Sequence, residues 1–410
     1  MREEIIVNKT QQKCFNITAS KIDSLRINSN LETSVRVYDN GCIGVAGKVG
    51  NCDVEALKKE AREALAQGIA YPDLPNEGKQ QSVDTYRQLI PEEELLPTLN
   101  KLLARLSAEN PDFLFSNKII LEETEKTYSS TDGSAYSYRG NTMEFSIVIK
   151  YKGSANIMDE DYSAEIDAYD EDKVAADVKL ICENYLKTIP SVEEDKLPVL
   201  VDMSVLQYLL SDFHADYYAL GMSRYKGKIG EKIFSDKLSI LCDRSPARQY
   251  NIPFFDGEGV VNEDYSFYLV KNGVMKGIVG SKKTAKNYGM PVSGTGGAED
   301  YASVPIPFFA GVTVLPTAKS LEELVGGRKT IFVSVTSGGD VTPDGTVSLP
   351  VMSAYLIENG SIVGRLPELT VTGNFADLFG DDFIGAFKGG LFSTSTTPYL
   401  VFEAKLVNKA

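Results

Sequence analysis

A polar segment bounded by prolines, "KTIPSVEEDKLP" at 187–198, is the feature that most constrains this fold. It follows a helical pattern and precedes a short apolar strand pattern, and it carries neither periodicity itself, which marks a linker. A single core seldom grows beyond about 250 residues, and the chain has 410. The chain therefore divides near 188–196. The expectation is an α+β fold: an N-terminal α+β domain over 1–190, then a mostly β, barrel-like or curved-sheet domain over 195–410. A further division of the first part, near 1–110 and 111–190, stays open.

Local patterns support this partition. "SVRVYDNGCIGVAGKV" alternates apolar and polar residues around Asn40-Gly41, a hairpin signal. Val54 to Gln67 reads as a helix, capped by Asp53 and stopped by Gly68, with Val54, Leu57, Ala61, Ala64 and Leu65 on one face. A second helix, Pro91 to Ala108, aligns Leu95, Leu99, Leu102, Leu103 and Leu106; a third, Glu171 to Leu186, aligns Val174, Val178, Ile181 and Tyr185. Between them lie strands over 118–168, with turns expected at Asp132-Gly133 and Gly140-Asn141. After the linker, "VLVDMS" is a strand, and a helix capped by Ser204 is expected to carry His214. The rest is short strands and Gly-rich turns, with helices at Lys282–Tyr288 and Leu321–Val325. No solenoid repeat is present.

Composition narrows the function. With 42 Lys+Arg against 57 Asp+Glu the formal charge is −15, and no basic block stands out, so nucleic acid is not the expected partner. No apolar run reaches the ~18–20 residues that span a bilayer, and the N-terminus reads as no signal peptide. Five scattered cysteines without a CxxC pair suit reduced thiols. A cytoplasmic protein with no membrane partner is expected.

Four motifs then occur in order: "GKIGEKIFSDKLSI", "FFDGEGV", "NGVMKGIVGSKKTAKNYGMPVSGTGG" and "VSLPVMSAYLIENGSIVGRLPELTVTGNFADLF". Together with "VRVYDNGCIGVAG" and "VLVDMS", this series resembles the TldD/PmbA (TldD/TldE) family, also called modulators of DNA gyrase. The resemblance implies a two-part α+β architecture and a cytosolic role in proteolysis of peptides. It implies a zinc site in TldD-type members, on a helix bearing H-E-x-x-x-H with a later cysteine. PmbA/TldE-type members lack that site and pair with a TldD-type chain.

A catalytic zinc needs about three protein ligands and a carboxylate base near its water. His214 is the only histidine. If it is aligned as the first ligand, Ala215 stands in place of the Glu and Ala219 in place of the second His; the window Leu206–Ser211 offers neither. Nothing after Cys242 is a cysteine. No catalytic, cofactor-binding or metal-binding residue is therefore assigned, and no cofactor is expected. His214 is expected to flank a helical face of Leu206, Leu210, Phe213, Tyr217 and Leu220, with Asp216 pointing away from it. Asp256 and Glu258 in "FDGEG" read as turn-formers and solvated charges, and Ser293–Tyr301 as a structural glycine loop rather than an anion cradle. Tyr265, Phe267 and Tyr268, with Phe308 and Phe309, read mainly as core and strand residues; an exposed sheet edge among them would bind an extended peptide. The leading expectation is a non-catalytic, PmbA/TldE-like subunit acting on peptides or unfolded chains, as a heterodimer with a TldD-type subunit or as a homodimer. Two alternatives stay open: an active metallopeptidase with unusual ligands near His214 or Cys242, and a stand-alone peptide-binding scaffold.

Overall fold

In the computed structural model, which describes residues 1–249, 251–389 and 391–408, the chain begins with two long antiparallel strands. These are β1 (Arg2–Thr18) and β2 (Lys21–Asp39), and β3 (Cys42–Val49) follows across a tight turn. Asn40 and Gly41 have φ of 49° and 76°, with Asp39 opposite Cys42, so the Asn-Gly pair makes the turn its sequence predicts. The turn between β1 and β2 uses Ala19 and Ser20 at φ 46° and 67°. Neither residue advertises that conformation, and the hairpin is not evident from sequence.

The sheet is completed by β4 (Gln80–Asp84), β5 (Phe113–Ser130), β6 (Ala135–Tyr151) and β7 (Glu160–Ile166), in the order β3-β2-β1-β5-β6-β4, with β7 also on β6. Because β1 pairs with β5, this sheet runs continuously across residue 110. The helices α1 (Val54–Ala64), α2 (Leu95–Glu109) and α3 (Glu171–Tyr185) match their apolar spacing. Asp53 caps α1, and Gly68 closes the following 3-10 turn at φ 65°. All five aligned leucines of α2 are buried, packing with Phe115, Phe145 and Val178; each contributes about 1.5–3 kcal/mol by leaving water.

The turn expected at Gly140-Asn141 is absent: both lie inside β6, opposite Thr124 and Glu123. Gly140 serves a close approach, since a Cβ there would stand 2.0 Å from the Tyr138 hydroxyl. Asn141 instead pairs its side-chain amide with the backbone of Arg87.

The C-terminal half starts with β8 (Lys196–Val201), followed by α4 (Gln207–Leu210) and α5 (Ala215–Leu220). A four-stranded sheet, β11-β10-β9-β14, joins β9 (Ile240–Asp243), β10 (Ser266–Lys271), β11 (Val274–Met275) and β14 (Val312–Val314). The pair β12 (Gly296–Gly297) and β13 (Ile306–Pro307) stands beside α6 (Lys282–Tyr288). Then come α7 (Leu321–Val325), β15 (Thr330–Thr336), β16 (Asp340–Val341), β17 (Thr346–Glu358), β18 (Ser361–Arg365), β19 (Leu369–Asn374), α8 (Phe375–Leu378), β20 (Phe383–Lys388) and β21 (Pro398–Asn408). Strands β15-β8-β21-β19-β17 pair in succession, and β17 returns to β15, closing a five-stranded barrel. Period-two alternation fills both faces: Val199, Val201, Leu400 and Phe402 enter one core, while Leu200 and Val401 enter another. The expected α+β fold with a barrel-like second part is observed.

Candidate functional site

His214 lies at a break between helices. The chain from Met203 to Leu220 forms a 3-10 turn, α4, a second 3-10 turn (Ser211–Phe213) and α5, instead of one helix. His214 has extended φ/ψ of −82° and 130°, and its Nδ1 accepts from the Asp216 N–H at 3.3 Å, so it is the N-cap of α5. Asp202, not Ser204, caps the first turn. The break rotates the expected face: Leu206 and Phe213 are buried, but Tyr217 and Leu220 are 45% and 70% exposed. It also brings Asp216 back beside the imidazole, at 3.9 Å, where an unbroken helix would have separated them.

These side chains do not fit a catalytic zinc. Nδ1 of His214 is engaged by its own helix, Asp216 accepts from the Tyr288 hydroxyl at 2.7 Å, and Ala215 presents a buried methyl. Cys242 is buried in β9, and burial pushes its thiol up to about 12, away from the thiolate a metal needs. Among the described residues, no group of three His, Cys, Asp or Glu is arranged to hold a metal. Burial, partly offset by Asp216, holds the His214 imidazole below its ordinary value.

A different cluster carries the unusual electrostatics. Asp256 does form the expected turn, accepting from the N–H groups of Glu258, Val260 and Gly296 at 2.8 Å. Neither carboxylate is solvated, however: Asp256 and Glu258 are each 1% exposed. Glu258 accepts from the Tyr71 hydroxyl at 2.5 Å and the Lys282 N–H at 2.9 Å. Burial, with Asp256 adding to it, pushes its carboxyl up to about 7. Lys282 Nζ reaches Asn76 Oδ1 and the Glu258 carbonyl, and Asn76 donates to Tyr128. Tyr128 and Tyr38 both donate to Glu4, which is fully buried beside Arg2 and Arg36. This polar network ties the first sheet to the C-terminal half. Its members Glu4, Arg36, Tyr71 and Lys282 carry no sequence signal beyond being polar at positions whose burial only the fold reveals.

The loop Ser293–Tyr301 packs against the turn at Asp256–Glu258. Gly296 N donates to Asp256, and Gly257 N donates to the Gly296 carbonyl at 2.8 Å. A Cβ at Gly296 would stand 2.0 Å from Glu258 Oε2, and one at Gly297 would stand 2.7 Å from Phe308 Cβ, so these glycines serve contact. Phe267 packs on the main core and Tyr265 against Phe254, whereas Phe308 is 44% exposed and Phe309 lies 6.3 Å from the His214 ring.

The PmbA/TldA metallopeptidase C-terminal domain matches residues 194–407, just over half of the chain. A metalloprotease of Methanocaldococcus jannaschii is 30% identical over 166 residues, 40% of this chain and 36% of its own. A zinc metalloprotease TldD homolog of Saccharolobus solfataricus is 24% identical over 297 residues, 69% of this chain and 66% of its own. The matched segments thus span about a third of the first of these relatives. TldE from Thermococcus kodakarensis has a similar structure, with a TM-score of 0.81 at 19% identity, covering 100% of this chain and 97% of its own. A Thermotoga maritima protein described as a modulator of a DNA gyrase gives 0.75 at 19%, covering 99% and 96%. No helix among the described residues is long and apolar enough to cross a membrane. With its entire C-terminal half matched, this chain belongs to the PmbA/TldD metallopeptidase family.

Proposed function

We propose that this chain is a subunit without catalytic metal in a TldD/TldE-type peptidase assembly, acting beside a metal-bearing TldD-type partner on peptides or unfolded chains. Family membership supplies the peptidase context. The observation that carries the subunit role is His214: the one histidine is spent capping α5, next to alanines at 215 and 219. Neither methyl group coordinates zinc or accepts a proton, so the partner must supply the water-activating chemistry. This chain would then shape or present the substrate, in a cytoplasmic heterodimer.

The test combines the purified, untagged chain with a TldD-type chain from the same source and follows cleavage of an unstructured peptide. The chain alone is expected to release no product and to hold well under one zinc per chain. Adding it to the partner is expected to raise cleavage at least tenfold. Partner activity indifferent to this chain would reject the subunit role, and cleavage by the chain alone that a chelator abolishes would make it a metallopeptidase in its own right.

A further inference from the structure

The sheet register collects positive charge on one wall of a cavity. Asn8 lies opposite Glu32 and Lys126, Ile6 opposite Ser34 and Tyr128, and Glu4 opposite Arg36, so period-two alternation points Lys126 and Arg36 to one face. That face meets the C-terminal half at Arg244, just beyond β9, and at the backbone of Gly257, Gly296 and Gly297. Between them lies a cavity of about 270 Å3.

Acids stand near the three cations, but among the described residues neither Lys126 nor Arg244 forms an ion pair with a carboxylate, and Arg36 has only Glu4. Arg36 is 3% exposed; its Nη1 donates to the Gly257 carbonyl at 2.5 Å, and Glu4, at 3.7 Å, is already shared with Arg2. Arg244 is 8% exposed and spends Nη1 on the carbonyls of Pro253 and Phe255, at 3.1 and 3.2 Å. The Nε of each guanidinium is buried without a hydrogen-bond partner. Lys126 is half-buried and makes no hydrogen bond or ion pair among the described residues; burial, then Arg244 and Arg36, push its amine down to about 8. Leaving buried donors and charges uncompensated is costly, so an arrangement of this kind favours an anionic occupant.

The acids around the cavity narrow the choice of anion. Asp256 is committed to three backbone N–H groups. Glu32 accepts from Asn30, and Asp300 caps Ala302 and Ser303, which leaves Glu299 beside them on the lining. With Glu32, Glu299 and Asp300 present, a second negative charge on the ligand is opposed, which disfavours a phosphate dianion. A planar, singly charged carboxylate matches the guanidinium fork. The volume lies below the ~300–1,000 Å3 usual for drug-sized ligands, which suits the end of a chain or one side chain.

We propose that this cavity binds a substrate carboxylate, either a peptide's C-terminus or an acidic side chain, between Lys126, Arg244 and the Nε of Arg36. The assignment rests on the peptide-handling role above and adds what part of the peptide is read.

Calorimetric titration of the full chain at low salt and neutral pH tests it with four probes. These are acetyl-tetra-alanine as the free acid, the same peptide as the amide, the amide with one Ala replaced by Glu, and inorganic phosphate. At least one carboxylate-bearing peptide is expected to bind tenfold or more tighter than the neutral amide. Tighter binding of the free acid assigns a chain terminus, and tighter binding of the Glu peptide assigns a side chain. Lys126→Gln, which breaks no side-chain hydrogen bond among the described residues, is expected to erase that margin, and Lys126→Arg to keep it; Arg244→Met is the second variant, with its melting temperature followed to confirm folding. Equal binding of the neutral amide and of both carboxylate-bearing peptides would overturn the carboxylate site while leaving peptide handling intact. Phosphate binding ahead of both acids, or no binding by either acid, would also overturn it. Failure of the peptide role itself is read separately, in the partner-stimulation assay.

Discussion

A carboxylate with no water around it must either find cations or take up a proton, and Glu258 does some of both. Tyr71 and the Lys282 N–H favour its charged form, but burial and Asp256 outweigh them and set its value at about 7, against an ordinary 4.5. Because the folded value is the higher one, folding takes up a proton between the two. The stability Glu258 contributes is complete below about pH 4.5 and is lost as pH rises through about 7. Glu258→Gln is therefore expected to flatten the fall in urea-unfolding free energy between about pH 5 and 7.5, by on the order of 1–3 kcal/mol. A variant profile parallel to the native one would reject this role. The surroundings that set Glu258 were not legible in "FDGEG": the turn geometry of Asp256 is local, whereas the burial of Glu258 depends on Tyr71, almost two hundred residues away. The same holds for Arg36, Lys126 and Arg244. A charge in a strand usually faces water, and the wall that covers Arg36 and Lys126 is supplied by the other half of the chain, Arg244 included.

At the scale of elements, what the sequence conveys depends on whether a pattern is local. Helices α1, α2 and α3 were legible because their apolar stripes and punctuating residues act within a few turns. The hairpin of β1 and β2 was not, since Ala19 and Ser20 give no turn signal and the polar run near residues 8–13 hides a strand. The segment around His214 fails differently. Its apolar spacing imitates one helix, but Asp212 draws the chain aside, accepting from Arg224 N at 2.7 Å and Arg224 Nε at 2.8 Å. The chain restarts at His214 as a cap. Substituting His214→Ala is thus expected to cost about 0.5–2 kcal/mol, as loss of an N-cap does, whereas His214→Ser is expected to recover most of it. Both variants should leave partner-stimulated peptidase activity unchanged. Loss of activity in the stable Ser variant would instead give the imidazole a direct role. The cap needs neutral Nδ1, and burial lowers the imidazole's value, so its contribution holds above the ordinary 6.5 and fades as pH falls through the lower folded value.

At the scale of the whole molecule, the N-terminal sheet with its helices and the C-terminal barrel each bury their own apolar cluster, yet polar residues cross between them. Glu160, fully buried in β7, accepts from Ser334, Ser353 and Tyr355, the Tyr355 hydroxyl lying at 2.6 Å. Asp177 of α3 accepts from Ser393 N, Thr394 N and the Thr394 hydroxyl at 2.7–2.9 Å. Such contacts contribute modestly when made, but each buried donor stranded by losing its acceptor costs roughly 1–3 kcal/mol. They therefore add to the coupling between the two cores, alongside a shared apolar cluster in which Tyr128 and Tyr136 of the first sheet pack on Phe254 and Phe255. The native chain is expected to show one calorimetric transition. Glu160→Ala combined with Asp177→Ala is expected to lower its midpoint and split it in two, with the Glu258–Tyr71, Lys282–Asn76 and Arg36–Gly257 contacts among the polar bridges that remain. Two transitions already in the native chain would show that these contacts do not couple the halves. A single, merely shifted transition in the double variant would place the coupling in the Glu258 network instead, where Glu258→Gln added to the double variant should then produce the split.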